Sequence, residues 1–434
     1  MTETFETTTV VPEMGVLQAG AIVFVGIGAQ SFFSYLFHLV SARSLGPASY
    51  SDVATLTAIL GVVTLPLGGA QLFVARHVAG VGARGGSVDE YRYVSSLCAV
   101  ALVGGGLVTL VLLACAPLIR TELSIESLSA VILAILATTP SFMAPVLVGA
   151  AQGRHRFKLV ALAIAAPAGA RVVFAAAELH AGLGVAGTMA ATLAAAGLAV
   201  AIPFAVLRPS LHVVTSWRPR VPRREALALA PVIAGALAIV CLSTDDVVAA
   251  KVAFPAHQAG IYGGASLVGR VILYLPAALV TVLLPKVAAR ASVARGTGAL
   301  FLWSLLATAA FCFTATTIYA TASRPIMTLA FGSSYRPGAP LLWMFGVAMT
   351  IYALLNILLA YRIGHGETQT CWFLLAGALI QALVYLGFHS SPRELLWASV
   401  TSGGILLLVA VIGPSSRSPS SLRSLGRAQR FAGP

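Results

Sequence analysis

The fold is decided by residues 226–285, which read ALALAPVIAGALAIVCLSTDDVVAAKVAFPAHQAGIYGGASLVGRVILYLPAALVTVLLP. Two long apolar runs flank a short polar break that begins with Asp245 and Asp246, and the second run holds one charge, Arg270. This pattern predicts a transmembrane helical hairpin with an acidic turn at one membrane face and a cation at mid-depth. Because a buried cation costs roughly 2.5–3.5 kcal/mol on insertion, it needs a functional or structural reason to be there.

The composition of the whole chain agrees with a membrane protein. Of the 434 residues, 58% are hydrophobic and 9% are charged, whereas a soluble domain carries about 25% charged residues. The apolar runs are continuous rather than alternating, which favours helices over a β-barrel and predicts an all-α polytopic membrane protein. The net charge of +13 is spread over short loops, so it indicates membrane topology rather than a nucleic-acid partner.

Twelve apolar stretches reach, or nearly reach, the length of about 20 residues that spans a bilayer. Ten of them are free of charge: 14–42, 53–75, 93–119, 127–153, 179–207, 226–244, 296–323, 337–361, 368–392 and 395–416. Two more, 159–178 and 252–285, each hold one arginine near the middle, Arg171 and Arg270. We therefore predict twelve transmembrane helices.

The loop charges predict the orientation of these helices. With a cytoplasmic N-terminus, the inner loops and tail hold nineteen Lys and Arg residues and the outer loops hold six. Positive charge on the inside then places both termini in the cytoplasm, and the protein in the cytoplasmic membrane. The longest basic loop divides the chain in two, and the predicted organisation is an N-terminal cytoplasmic segment 1–15, an N-lobe 16–207, a linker 208–225, a C-lobe 226–412 and a disordered basic tail 413–434.

Two short segments suggest an internal duplication. LGPASY at 45–50 precedes the second span much as QAGIY at 258–262 precedes the eighth, and Gly153-Arg-His after the fourth span is similar to Gly364-His after the tenth. Each half has six spans, so the two repeats run parallel about an axis normal to the membrane. A ligand path between the halves is expected from this arrangement.

Four segments in order resemble one known family. These are ARSLGPASY at 42–50, AQGRHRF at 151–157, the stretch from Asp246 to Pro285, and FGSSY at 331–335. Together they are similar to the polysaccharide transporters of the multidrug/oligosaccharidyl-lipid/polysaccharide exporter superfamily. The resemblance implies two six-helix lobes around a central cavity, and the flipping of a lipid-linked saccharide without covalent chemistry.

The expected cargo, a polyprenyl diphosphate that carries sugars, presents an anionic head. A guanidinium group matches phosphate oxygens with two parallel hydrogen bonds, so a flippase of this cargo needs fixed arginines in a polar cavity. Arg171 and Arg270 are the candidates, because one lies in each half at similar depth. The alternative is that each arginine is bonded to helix carbonyls or paired with an acid, and holds the fold together.

The acids near the predicted outer face are candidates for gating or for coupling to an ion. They are Asp245 and Asp246 at the end of span 7, Asp52 at the start of span 2 and Glu178 at the end of span 5. Neighbouring carboxylates can share a proton or bind a cation. Asp246 is the first choice because it matches an acid of the resembled family; the alternatives are that the acids are solvated, or that they form salt bridges to Arg43 and Lys251 that close a gate.

A polar stripe runs along span 1. Ser31, Ser34, His38 and Ser41 follow helical spacing and share one face of the helix. The stripe is suited to line a cavity and to bond sugar hydroxyls. The competing interpretation is that the serines allow close packing between helices.

No motif for an enzyme, metal or cofactor stands out in the sequence. The five cysteines lie singly in apolar runs, and we predict neither a metal site nor a cofactor. Besides flipping, two functions stay open, an ion-coupled drug or cation antiporter and a membrane glycosyltransferase or polymerase. The expected partners are the lipid-linked saccharide, membrane lipid and the glycosyltransferases or polymerase of the same pathway.

Overall fold

The computed structural model describes residues 16–82, 87–208, 223–273, 276, 279–280, 283, 287 and 297–412. The predicted N-terminal segment 1–15 and the tail 413–434 lie outside the described residues. So do most of the linker 208–225 and much of the second half of span 8.

Fourteen α-helices are numbered here in chain order through the described part of the chain. They are α1 Val16–Thr64, α2 Gly68–Gly82, α3 Ser87–Ala114, α4 Ala116–Glu122, α5 Leu128–Leu136, α6 Thr138–Gly153, α7 Phe157–His180, α8 Gly184–Leu207, α9 Arg223–Ala253, α10 Ala256–Arg270, α11 Gly298–Phe331, α12 Leu342–Gly364, α13 Gln369–Gly387 and α14 Pro392–Ile412. Short 3₁₀ helices occupy Leu65–Leu67, Val271–Leu273 and Ser333–Leu341.

The prediction of an all-helical, multi-pass membrane protein is confirmed. Every described element is a helix, and ten helical stretches in the described residues are long and apolar enough to cross a membrane. One of these stretches, Gly20–Gly80, covers most of the first predicted span, 14–42, and all of the second, 53–75. The count of twelve spans and the cytoplasmic location of the termini stay predictions.

A glycine divides α1 into two helices. At 49 residues, α1 would extend roughly 70 Å if it were straight, about twice the thickness of a bilayer core. Gly46 interrupts it with φ 71° and ψ 173°, a left-handed conformation that costs glycine little. Pro47 follows, where a helix restarts readily, so the predicted turn at 45–50 is present as a break between two spans.

The acidic pair lies inside a helix rather than in a turn. The sequence predicts that span 7 ends at residue 244, but α9 continues to Ala253 and carries Asp245 and Asp246 within it. The turn comes two helical turns later, at Phe254 and Pro255. The difference arises because the carboxylates find polar partners on neighbouring helices, which the hydropathy of α9 alone does not reveal.

The described residues form two compact units. Within the described residues, the first unit is drawn from residues 16–40, 70–82, 87–114 and 132–208, and the second from residues 41–69, 115–131 and 223–412 with the gaps given above. Two segments of the N-terminal half, 41–69 and 115–131, thus pack within the unit that holds the C-terminal half. The lobe boundary at 208–225 stays a prediction.

Close backbone contacts build the core of the first unit. Its buried side chains include Val74, Cys98, Leu147 and Val160. A Cβ atom placed on Gly149 would lie 2.5 Å from the carbonyl oxygen of Gln71, so α6 and α2 approach each other at a distance that only glycine permits. Small residues at such crossings allow dispersion contacts, which drive helix association in lipid where a hydrophobic force between helices is absent.

We predict that Gly149→Ala lowers the free energy of unfolding by about 1–3 kcal/mol, because the new methyl group overpacks the crossing. The matched control is Gly104→Ala on α3, where an added Cβ meets nothing within 4 Å. The control should leave stability unchanged or raise it by up to about 1 kcal/mol through helix propensity. Thermal unfolding in detergent measures both, and equal shifts would contradict the packing.

Candidate functional site

The candidate cargo cation of the second unit, Arg270, is held by two bonds to α9. Its Nε donates to the carbonyl oxygen of Ser243 over 2.7 Å, and its Nη2 lies 3.1 Å from Oδ1 of Asp246. Arg270 ends α10, where the chain tightens into the 3₁₀ turn Val271–Leu273. The side chain of Arg270 keeps 22% of its surface exposed while that of Asp246 keeps 4%, so one edge of the guanidinium is anchored and the group is still reachable.

A tyrosine completes this arrangement. Tyr262, two turns before Arg270 on α10, is fully buried and donates its hydroxyl to Oδ2 of Asp246 over 3.0 Å. Asp246 therefore uses one oxygen for the arginine and the other for the tyrosine. Because hydrogen bonds to a charged group stabilise by about 1.5–3 kcal/mol each, this carboxylate is held firmly in one orientation. The paired arginine that the sequence left as an alternative is thus observed.

Asp245 lies in a different network from its neighbour. Adjacent residues on a helix point about 100° apart, and Asp245 accepts hydrogen bonds from Gln381 Nε2 at 3.1 Å and Tyr385 at 3.4 Å, both on α13. Tyr385 also shares a bond of 2.7 Å with Ser399 on α14. The two carboxylates therefore bond to different helices, and their role in gating or coupling stays a prediction.

Gln381 is the centre of the second network. It is fully buried; its amide nitrogen donates to the Leu242 carbonyl over 3.0 Å, and its oxygen accepts from Tyr352 at 3.0 Å and Ser402 at 2.8 Å. Four helices, α9, α12, α13 and α14, are joined through this one amide. The sequence holds one signal for this network, the spacing of Gln381 and Tyr385, which are four residues apart and so share one face of α13.

A cavity of about 610 Å³ lies beside Asp245. Its walls come from the second half of α1, from α9 and from the end of α13, and they are apolar except at Asp245, Tyr385 and His389. This volume is in the range of small-molecule sites, which are mostly apolar with a few placed polar groups. Asp245 is half-buried and faces this space.

Asp52 forms a second buried ion pair. Lys251 of α9 donates to Oδ1 of Asp52 over 2.5 Å and to the hydroxyl of Ser51 over 2.8 Å. The side chains of Lys251 and Asp52 are 2% and 5% exposed. The salt bridge that the sequence offered as an alternative for Asp52 is therefore present, with Lys251 as its partner.

The remaining candidates lie in the first unit. Arg171 stands over the ring of Phe37 at 3.5 Å and donates from Nε to Thr192 over 3.1 Å. The desolvated ring and the hydroxyl give this cation partners within the membrane, since cation–π contacts strengthen when water is excluded. Arg171 is half-buried, so packing and cargo contact both stay possible roles.

Glu178 and three residues of the polar stripe also belong to this unit, whereas the fourth, Ser41, lies in the second unit. Ser31, Ser34 and His38 on α1 are all half-buried, and the ring of His38 meets that of Phe37 edge to face at 5.2 Å. Glu178 ends α7, where it packs against Gly187. The described structure brings Asp246 together with Arg270 and Asp52 with Lys251, while Arg171, Glu178 and the stripe are not part of those clusters.

In the described residues, no group of three or more His, Cys, Asp or Glu side chains is placed to hold a metal ion. The candidate residues of the second unit supply an anchored guanidinium at Arg270, separate networks at Asp245 and Asp246, and the buried pair Asp52–Lys251. These features suit the binding of a charged molecule.

Comparisons with known proteins identify the fold. No family model and no curated protein matches the sequence. Among solved structures, the inward-facing multidrug resistance MATE family transporter of the MOP superfamily matches with a TM-score of 0.69 at 15% identity, over 93% of this chain and 99% of that one. The lipid II flippase MurJ, in an inward closed conformation, matches with a TM-score of 0.64 at 11% identity, over 90% and 87%.

A third match is a MOP superfamily transporter from Pyrococcus furiosus, whose binding pocket is described as reversed in polarity. Its TM-score is 0.62 at 17% identity, over 91% of this chain and 93% of that one. At these identities the likeness establishes the fold alone: the chain has the fold of MOP superfamily transporters. The matched structures are those of transporters rather than enzymes.

We predict that the Asp52–Lys251 pair behaves as a buried pair in a double-mutant cycle. Asp52→Asn and Lys251→Met should each lower the free energy of unfolding by about 3–5 kcal/mol, since each leaves one charge buried alone, and the double variant should cost less than their sum. Unfolding in detergent measures the cycle, with the exposed acid variant Glu122→Gln as a control near zero. Simple additivity of the two single changes would show that the pair is not formed.

Proposed function

We propose that this chain is a flippase that moves a polyprenyl-diphosphate-linked saccharide across the cytoplasmic membrane by alternating access, as a step in cell-surface polysaccharide assembly. Glycosyltransferases would supply the cargo and a polymerase would consume it. The MOP transporter fold supports a transport function, and the choice of cargo rests on the charges within the spans.

The observation that carries the proposal is the anchored guanidinium of Arg270. Nε and Nη2 are engaged by Ser243 and Asp246, and Nη1 takes part in neither bond. A guanidinium held on one edge loses little further freedom on binding a phosphate, which is the advantage of preorganisation. The pairing with Asp246 satisfies one edge of the guanidinium, and the 22% of the side chain that stays exposed is the part available to an anion.

The other candidate residues have supporting roles in this proposal. Arg171 is the second cation for the diphosphate, and Ser31, Ser34 and His38 offer hydrogen bonds to the sugars. Asp246 orients Arg270 and gates it, since a phosphate and this carboxylate compete for the same guanidinium. Asp245, Asp52 and Glu178 act in gating or in coupling to an ion.

We predict that Arg270→Ala abolishes export of the surface glycan in a strain that lacks the native gene, and that Arg171→Ala weakens it. Arg270→Lys should retain part of the activity, at a cost of about tenfold or more, because an ammonium group cannot form two parallel bonds to phosphate. Surface glycan is quantified at matched protein levels. The control is Arg336→Ala, an exposed arginine; full export by both Arg270→Ala and Arg171→Ala would refute the cargo assignment.

A second candidate function is supported by the cavity beside Asp245. An apolar space with one carboxylate in its wall suits a lipophilic organic cation, so an ion-coupled drug or cation antiporter is the alternative. The described hydrogen-bond partners of Asp245 are the neutral side chains Gln381 and Tyr385. Among these contacts no protein cation compensates the charge of the carboxylate.

We predict for this alternative that cells expressing the protein export a fluorescent lipophilic cation, and that Asp245→Asn removes the export while Glu122→Gln does not. Dye accumulation in energised cells is the measurement. Dye export that persists in Asp245→Asn, or that is absent from the wild type, would remove the antiporter and leave the flippase.

A further inference from the structure

Three segments that stood out separately in the sequence meet in the second unit. The segment 42–54 contains the break in α1, the segment 258–264 begins α10, and the segment 331–338 joins α11 to the following 3₁₀ helix. The loop charges predict that all three lie at the outer ends of their helices. The two segments that resemble each other as a sequence repeat, 45–50 and 258–262, are thus packed against each other.

Glycines make this contact a backbone contact. A Cβ on Gly260 would lie 1.7 Å from the carbonyl oxygen of Pro47, and one on Gly263 would lie 3.2 Å from Cβ of Ala54. One helical turn after Gly260, a Cβ on Gly264 would be 2.9 Å from the ring of Tyr335. At Gly260 the two backbones meet directly, so this point of the contact can separate without moving a side chain out of the way.

Polar ties surround the contact. The Arg43 guanidinium donates to the last carbonyls of α11, with 2.8 Å from Nε to the oxygen of Ala330. The Tyr335 hydroxyl donates to the carbonyl oxygen of Ala42 over 3.1 Å, and the rings of Tyr50 and Tyr335 lie 6.1 Å apart. These bonds join 42–50 to α11 and to the 3₁₀ helix that follows it.

The buried pair Asp52–Lys251 lies beside this surface. A buried ion pair is weak evidence for stability, because desolvation offsets most of the attraction; its best-attested use is to specify one arrangement over another. Lys251 and Asp52 are nearly 200 residues apart in sequence and belong to the predicted C-lobe and N-lobe respectively. The pair therefore specifies an arrangement in which these two spans are in contact.

We propose that the glycine face of α10, residues 260–264, and the Asp52–Lys251 pair form the closed outer gate of the transport cycle, and that both contacts with segment 42–54 must break for cargo to leave on the outer side. This inference rests on the proposed alternating-access function. The gate joins α1 to α9 and α10, and α9 and α10 also carry Asp246 and Arg270.

A disulfide across the contact tests the gate. In a Cys371→Ser background, the pair Ala54→Cys and Gly263→Cys places two Cβ atoms 3.2 Å apart, slightly below the mean of about 3.8 Å in disulfides, so a bond needs a shift of only a few tenths of an ångström. Oxidation should reduce glycan export to the level of cells without the protein, and reduction should restore it. Peptide mapping by mass spectrometry verifies the cross-link.

The chain supplies a matched control. Gly235→Cys on α9 places its Cβ 3.4 Å from that of native Cys371 on α13, so this cross-link joins two helices on the same side of the proposed gate. Oxidised Gly235→Cys should export glycan as well as its reduced form. Full export by the cross-linked 54–263 variant, or loss of export by both cross-links alike, would overturn the gate.

A labelling experiment tests the gate without any cargo. Ala54 is 8% exposed, so Ala54→Cys should react slowly with a membrane-impermeant maleimide added to intact cells. Adding Lys251→Met should raise the labelling rate several-fold, and the charge-free Asp52→Asn/Lys251→Met variant should do the same if the single change folds poorly. Unchanged labelling in both would overturn the gate; faster labelling in a protein that moves no glycan would refute the proposed cargo and leave the gate standing.

Discussion

A charge inside a bilayer needs a partner within the protein, because water is not there to solvate it. Helix α9 forms two such ion pairs within two helical turns. Asp246 pairs with Arg270 of α10, and Lys251, five residues later, pairs with Asp52 of α1. Because Asp246 and Lys251 have opposite charges, α9 pairs with a cation of α10 and with an anion of α1. These two ion pairs organise the polar contacts of α9 in the second unit.

The helix pair α9–α10 connects the candidate cargo site with the contact at its outer end. Arg270 ends α10, and Gly260, ten residues earlier, meets the backbone of Pro47. Helix α9 also reaches both places: Asp246 contacts the arginine, and Lys251, nearer the end of α9, contacts Asp52. A rigid displacement of this helix pair would therefore act on both places together, since helices transmit movement along their length without bending.

Small residues determine how closely these helices approach. Gly149 on α6 and Gly260 on α10 each lie where an added methyl group would strike a backbone carbonyl. In lipid, such crossings stabilise by dispersion and by weak polar contacts, and they contribute without large interlocking side chains. The same feature that holds the helices together at Gly260 also lets their surfaces part, which suits a contact that opens and closes.

Much of the architecture could be predicted from the sequence alone. Long apolar runs require helices in a bilayer, so the all-helical, multi-pass fold followed directly from residues such as those of 226–244, and the break at Gly46 followed from its Gly-Pro pair. The candidate charges were also visible, because Arg171 and Arg270 stand out in an apolar background.

What the chain alone could not decide was pairing: Asp245 and Asp246 are neighbours in sequence but belong to separate networks, with Gln381 and with Arg270. Hydropathy depends on local composition and is therefore encoded locally, whereas the partner of a buried charge lies 24 to 199 residues away and is chosen only when the helices pack.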